Sequence, residues 1–573
     1  MLAETIYGRM YDTKNLYGLQ HSIASQKAMH QATSKRSAII TAASFPSTGR
    51  YAGHWLGQNS ATWYNLATSV ISVQLFNLFG IPYVGADICG FKKDATEELC
   101  IRWQQLGAFY TFSRNHNDKG TTPQDPAHWP NVAAATRQAN LFRYHYLPYL
   151  YSLHFDASLL GSAVIRPTFM EFPLDDAARE NGFEFMWGAA MLIVPVLQPS
   201  VSQVYGYLPH EGTWYSLRDG EYGKLMTNGF QFLSTPINKM IPVFARGGYI
   251  IPRQAPAMTT TASRRNPLEL LIAIDKNSNL TAKGNLYWDD GESDIQNGTY
   301  YKWEFQLTTT ELFTELVIVR SNVANVSGVP TLDIIDIFGY PFIPHLDKAT
   351  VNGERLSISG CSSFDMESSM ILINCSNLIN ITADPVILII WTNSPLPTTS
   401  TTTTTPTTTT VPTTTSQNPD ITNYVDPSLR VNCMPSAMEN PEINQCHSFG
   451  CVFDVYAIRT NAPACYYPVR SGYIQMATNG STITLQKLPT VRSPYGDNIS
   501  PIYFSTEMIE GTTLNVRIGL DGRYEPRLLL PRGSFNTGES FIIEQSNVTG
   551  VFSFKVIRQS TGKAIWDTSI VGA

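Results

Sequence analysis

Residues Ser394 to Ser416 read SPLPTTSTTTTTPTTTTVPTTTS, and no other stretch constrains the fold of this chain as strongly. It holds almost no side chain able to enter a core, so it cannot fold as a domain and must separate whatever folds on either side. Threonine and proline in a run favour an extended, solvated backbone. In an exported protein this is the composition of an O-glycosylated stalk; an unmodified disordered spacer fits it as well.

The flanks differ in character. The chain has 573 residues, 43% hydrophobic and 11% aromatic, enough for several domains with their own cores. Lys+Arg 40 against Asp+Glu 46 leaves a net charge of -6 with no extended basic run, so nucleic acid is not an expected partner. The longest apolar stretches, Met191 to Leu197 and Val386 to Trp391, fall far short of the roughly 18 residues of a spanning helix.

The start, MLAETIYGRM, places Glu4 where an export leader would be apolar. Yet eight Asn-x-Ser/Thr sequons occur, at Asn279, Asn297, Asn325, Asn374, Asn380, Asn479, Asn498 and Asn547. Eight cysteines fall into local groups: Cys89 with Cys100, Cys361 with Cys375, and Cys433, Cys446, Cys451 and Cys465. That grouping reads as four disulfides in an oxidising compartment. The expectation is an extracellular or cell-surface chain, on the lumenal side, whose natural N-terminus lies upstream of Met1. The final AIWDTSIVGA, with no closing helix or polar tail, also reads as cut short.

Residues 1 to about 165 mix helical stretches with short apolar strands, Ser37 to Thr41 and Gly80 to Val84, followed by polar, Gly-containing loops. This is the pattern of βα units, whose chemistry collects on loops after the strands: Ala42 to Gly57, Gly85 to Phe91 and Ser113 to Asn117. From about 168 to 391 the pattern becomes all-β, with strands such as Leu268 to Ile274 and Glu315 to Val319 between Gly, Asn, Asp and Pro. After the cysteine cluster, Leu514, Val516, Ile518 and Leu520 alternate, as do Phe552, Phe554 and Val556. Both are expected as half-buried sandwich strands.

The loop GRYAGHWLGQNSATW, Gly49 to Trp63, carries the first chemical signal. Aromatic faces stack on the C–H surfaces of pyranoses, and glycines let backbone groups approach a ligand. Aromatics packing a barrel rim would give the same composition. GADICGF at Gly85 to Phe91 and GAFYTFSRNHN at Gly107 to Asn117 follow it. Together with ARGGYIIP and YWDDGES, these motifs in this order resemble the family 31 glycoside hydrolases, most closely the intestinal maltase-glucoamylase and sucrase-isomaltase type, over about residues 1 to 391. RVNCMPS, INQCHSFGCVF and PACYYP resemble the trefoil, or P-type, module.

The resemblance implies a multidomain α/β plus all-β chain. Residues 1–167 would be the C-terminal half of a (β/α)8 barrel, with a proximal β domain at 168–246 and a distal one at 247–393, both β-sandwich-type. A Thr/Pro-rich linker at 394–420 would lead to the trefoil at 430–468. Residues 469–573 would be the start of the N-terminal β-sandwich of a second glycosidase module. A full trefoil has six cysteines; the first and fifth are missing here, Val452 standing where the fifth would be. Those two pair with each other in the family, so the remaining pairs would be Cys433–Cys451 and Cys446–Cys465, beside Cys89–Cys100 and Cys361–Cys375. A zinc site built from these cysteines and His447 is the rival reading, without the usual CxxC spacing.

The implied activity is retaining hydrolysis of terminal α-linked glucose, which needs two carboxyl groups roughly 5–5.5 Å apart. The family's acid/base aspartate, in GHWLGD, aligns with Gln58, and an amide cannot deliver a proton near neutral pH. The nucleophile's WxDMNE-type motif does not occur in the sequence, and Ala42 replaces a sugar-binding arginine. His116, Asp87, Trp55 and Phe91 match sugar-pocket positions. The expectation is a catalytically incomplete α-glucosidase relative, or alternatively a carbohydrate-binding pseudoenzyme or a trefoil and stalk surface protein. Its partners would be α-linked oligosaccharides. No cofactor or metal is called for, and a membrane would be reached only through an anchor that this sequence does not contain.

Overall fold

The computed structural model describes residues 4–5, 8–277, 279–295 and 298–396, then 425, 430–434, 443–453, 463–468, 471–489, 491, 499–509, 513–520, 540–547 and 550–569. The threonine-rich segment from residue 397 onward and the sequon residues Asn297 and Asn498 lie outside them. The chain divides into two units, residues 1–402 and 403–573.

The first unit opens with alternating helices and short parallel strands. The strands Ile40–Thr41, Gly53–Trp55 and Val84–Gly85 lie side by side, His54 facing Thr41 on one side and Val84 on the other. Asp87–Ile88 and Arg114–Asn115 form a second parallel pair. Gly85 is required here, because a Cβ would lie 1.8 Å from the Phe112 carbonyl oxygen. The strand expected over Gly80 to Val84 begins only at Val84. Gly80, in the left-handed region at φ 76, bonds back to Asn77 as the end of the preceding helix, and Pro82 has no N–H for a ladder.

Each helix between these strands has a sequence reason. Thr62 caps Trp63–Leu78 by accepting the Asn65 N–H, and Leu66, Val70, Val73 and Asn77 then fall on one buried face. Thr96 caps Glu97–Gly107, with Glu97 and Glu98 in its first turn, where the helix dipole favours negative charge. Pro130–His145 starts on proline, and Leu147–Leu160 stops at Gly161.

Residues 165–246 form an antiparallel five-stranded sheet in the order Trp214–Ser216, Val243–Arg246, Met191–Ile193, Phe185–Trp187, Ile165–Pro167, beside the ribbon Gln203–Leu208 with Gly229–Ser234. Residues 249–394 form an 11-stranded sheet. Ala349 near one end of it and Ile373 near the other share a core with Trp303 and Trp391, so the sheet curls back on itself. The all-β expectation for this region needs one correction: Thr168–Glu171, Asp176–Glu180 and Thr260–Ser263 are short helices. Asp175 and Thr259 cap the last two, accepting the N–H groups of Ala178 and Ala262.

A buried polar network ties these parts together. Arg253 donates to Glu269 at 2.9 Å and to Asp336, Tyr222 donates to Asp336 at 2.5 Å, and His145 meets Glu269 at 2.9 Å. Burial alone would raise the Glu269 pKa. The bonds and charges of His145 and Arg253 outweigh it and hold the pKa below the ordinary carboxyl value.

In the second unit, Cys433 is joined to Cys451 and Cys446 to Cys465 around the helix Ile443–Ser448 and the pairing of Val452–Phe453 with Cys465–Tyr466. Two antiparallel sheets follow, Tyr473–Asn479 through Thr513–Gly519 and Phe541–Ser546 through Lys563–Asp567, meeting over Ile483, Phe504, Phe554 and Val556. The expected stripe on the strand Thr513–Gly519 fades: Leu514 and Val516 pack against this core, but Ile518 and Leu520 are exposed. Alternation gives a strand two faces, and a second layer has to reach the apolar one to bury it.

Candidate functional site

The loops that follow the parallel strands converge on Asp87. Its side chain is fully buried and both oxygens are engaged: Oδ1 accepts the indole N–H of Trp55 at 2.8 Å and Oδ2 the backbone N–H of Gln58 at 3.3 Å. The Arg114 guanidinium lies 3.4 Å from Oδ1 and 4.5 Å above the Trp55 ring, so it pairs the charge and covers one face of the indole.

Local backbone geometry sets the rest. A Cβ on Gly57 would fall 1.8 Å from Trp55 Cε2, so only glycine lets the chain turn back over the indole. Gln58 then sits in the left-handed region at φ 61, with its side chain exposed. Asn59 donates to the Asp87 carbonyl at 2.9 Å and accepts the Asp87 N–H at 3.1 Å, while its own carbonyl accepts the N–H groups of Phe91 and Lys92. The disulfide Cys89–Cys100 anchors this second loop to the helix Glu97–Gly107.

His116 stands between two aromatic rings, its centroid 6.1 Å from that of Trp55 and 5.1 Å from that of Phe91, with its own side chain exposed. Gln124 holds it there: its Nε2 lies within 3.1 Å of the carbonyls of Ile88, Gly90 and His116 and of Asn115 Oδ1. Ala42 is exposed just after the strand Ile40–Thr41. His54 is a different kind of histidine, stacked on Phe76 and bonded to Ser44; burial pushes its pKa down to about 4, so it is neutral near pH 7.

The structure therefore brings Trp55, Gln58, Asp87, Phe91 and His116 together. Sequence reasoning passed over Arg114, Asn59 and Gln124. Arg114 lies inside the RNHN motif and is its only permanently charged residue, which is a usable signal. Asn59 and Gln124 act through backbone contacts that no local pattern announces. Chemically, the rim offers aromatic faces, an imidazole and an exposed amide, which suit a neutral polyhydroxylated ring. Asp87, fully buried with both oxygens engaged, presents no free carboxylate oxygen to such a ligand. Among the described residues, the grouping with metal-ligand proximity is Cys433, Cys451 and Cys465, and all three sulfurs are in disulfides. No described helix is long and apolar enough to cross a membrane.

Comparison with known proteins agrees with this layout. Residues 3–153 match the glycosyl hydrolases family 31 TIM-barrel domain, 161–251 the family 31 C-terminal domain and 423–468 the trefoil (P-type) domain. Intestinal sucrase-isomaltase of Oryctolagus cuniculus is 33% identical over 99% of this chain, which spans 30% of that relative's length. Lysosomal alpha-glucosidase of Mus musculus is 42% identical over 54% of this chain and 34% of its own. The glucose-bound family 31 dextranase of Flavobacterium johnsoniae superposes with a TM-score of 0.60 at 20% identity, covering 68% of this chain and 50% of that one, a likeness of fold. With two adjacent family domains over residues 3–251 and a trefoil beyond the threonine-rich segment, the chain belongs to glycoside hydrolase family 31.

Proposed function

We propose that this chain binds the non-reducing end of α-linked glucose oligosaccharides, at the rim formed by Trp55, Phe91 and His116, without hydrolysing them. One observation carries the reading: the position of the family's acid/base is an exposed amide, Gln58, and the adjacent carboxylate, Asp87, is fully buried and bonded at both oxygens. Retaining hydrolysis needs one carboxyl group to protonate the leaving oxygen and a second to attack the sugar. Gln58 supplies hydrogen bonds and no proton. Ala42, in place of an arginine, removes a further contact that would hold the sugar at the point of cleavage. What remains suits stacking and hydrogen bonding, the chemistry of a carbohydrate-binding site.

The test is a pair of measurements on purified full-length chain. Maltotriose titration by calorimetry is expected to give saturable binding that Trp55→Ala abolishes, while maltose and a chromogenic α-glucoside stay uncleaved. Turnover by the unaltered chain that disappears in His116→Ala would overturn the reading.

A further inference from the structure

A cavity whose lining includes none of Trp55, Phe91 and His116 lies where the helices of the N-terminal region meet the 11-stranded sheet. Its volume is about 400 Å³, within the range of small-ligand sites, and Tyr83, Arg143, His154, Arg264, Tyr287 and Trp288 are among its lining residues.

Its chemistry is cationic and aromatic. The Arg264 guanidinium lies 4.0 Å above the Trp288 ring and donates to the Asp289 carbonyl. Arg143 donates to the carbonyls of Ala108, Tyr110 and Thr111, at the C-terminal end of the helix Glu97–Gly107. Among the described residues neither arginine has a carboxylate partner. The neighbouring carboxylate Asp289 is already paired with Arg36 at 2.6 Å and accepts from Tyr151 at 2.9 Å. Asp290 accepts the N–H groups of Glu292 and Ser293, and Asp156 accepts from Tyr287 and Asn285. His154 is neutral near pH 7, because burial and the Arg143 charge push its pKa down to about 4.

One donor is left over. The indole Nε1 of Trp288 is buried without a hydrogen-bond partner, in a residue only 4% exposed. A buried donor without an acceptor is costly and rare in folded proteins. An arginine without a carboxylate partner, the nearby Arg143 charge, an orphan N–H and aromatic walls around one half-open cavity ask for an acceptor-rich anion carrying an apolar or ring-shaped body.

We propose that this cavity is a binding site for a small organic carboxylate, its carboxylate held by Arg264 with the Trp288 N–H and its ring lying against Tyr83 and Tyr287. Arg143 contributes long-range positive potential, since the helix-end carbonyls already occupy its guanidinium. The site sits between elements of the N-terminal region and the curled sheet, so its ligand would also brace that junction. The inference is independent of the sugar-rim reading.

Calorimetric titration of the full chain with benzoate tests it, with benzyl alcohol and sulfate as the neutral and inorganic probes. Benzoate is expected to bind saturably, at least about 10-fold tighter than either comparison probe, as a charge-assisted bond to a half-buried guanidinium implies. Arg264→Met should weaken benzoate by about 10-fold or more. Trp288→Phe, which keeps the ring and removes the N–H, should weaken it about 3-fold or more and reports on the site even if Arg264→Met unfolds. Trp55→Ala should leave benzoate affinity unchanged. Equal affinity for benzyl alcohol or sulfate, no saturable benzoate binding, or undiminished binding by a folded Arg264→Met or Trp288→Phe variant would each overturn the proposal.

Discussion

Asp87 accepts the indole N–H of Trp55 at 2.8 Å, so a carboxylate with no solvent exposure fixes the orientation of the ring proposed to stack on sugar. The same carboxylate accepts the Gln58 N–H and pairs with Arg114, which lies over the indole. A motif residue matched to a sugar pocket is thus also the support on which the pocket's other walls rest.

Asp87→Asn is expected to lower stability and sugar binding together. The amide still accepts from Trp55, but it loses the charge paired with Arg114 and turns an N–H toward the Gln58 N–H. Leaving buried donors facing each other costs about 1–3 kcal/mol. Urea denaturation should register that loss, and maltotriose affinity should fall by about 10-fold. Trp55→Phe, which keeps an aromatic face but removes the N–H, should lose less stability.

Gln58→Asp should restore a carboxyl group without restoring hydrolysis. General acid catalysis typically contributes about 10²–10⁴ in rate, and only where an attacking group is in place to use it. Release of nitrophenol from a chromogenic α-glucoside by this variant should stay at the buffer rate. A rate 100-fold above buffer would show that another residue of this chain serves as nucleophile.

Glu184 should make stability depend on pH. Its Oε1 accepts the Tyr207 N–H at 2.8 Å, its Oε2 is buried without a partner, and burial raises its pKa to about 7. The unfolded chain releases this proton near the ordinary value of 4.5. Folding therefore takes up a proton between these limits, and the contribution to stability falls as pH rises from about 4.5 to 7, by up to roughly 3 kcal/mol. Glu184→Gln mimics the protonated form, so melting temperatures of the variant and the parent should converge near pH 4.5 and separate above pH 7, the variant being the more stable there.

The two disulfides of the second unit should be worth most where the core is smallest. Cys433–Cys451 and Cys446–Cys465 close loops with sequence separations of 18 and 19 around a cluster of few buried side chains. In the chain-entropy model each stabilises by about 3 kcal/mol. Limited proteolysis of the Cys433→Ser, Cys451→Ser double variant should cut within residues 430–468 at least 10-fold faster than in the parent. Peptide mapping of the non-reduced parent should recover the two linked pairs.

The second unit shows where pattern reading stops. Alternation over Leu514 to Leu520 marks a strand, and Thr513–Gly519 is one, yet Ile518 and Leu520 lie beyond the reach of the facing sheet. In the first unit, the apolar stretch Gly80 to Val84 yields only Val84 to the sheet, because the capping turn and Pro82 claim the rest.

The sequence by itself determined what depends on neighbours along the chain. The threonine and proline composition separates two folded parts, capping threonines and glycines bound the helices, and the order of the loop motifs identifies the family. Gln58 and Ala42 are substitutions visible in one dimension. Tertiary structure alone decided which charges are spent and which are free. Asp87 is neutralised by Arg114, His145 and Arg253 converge on Glu269, and Arg264 stacks on Trp288 with no carboxylate partner among the described residues. The physical reason is that desolvation and pairing depend on three-dimensional distance, and these partners come from different strands, helices and loops that only packing brings within a few ångströms.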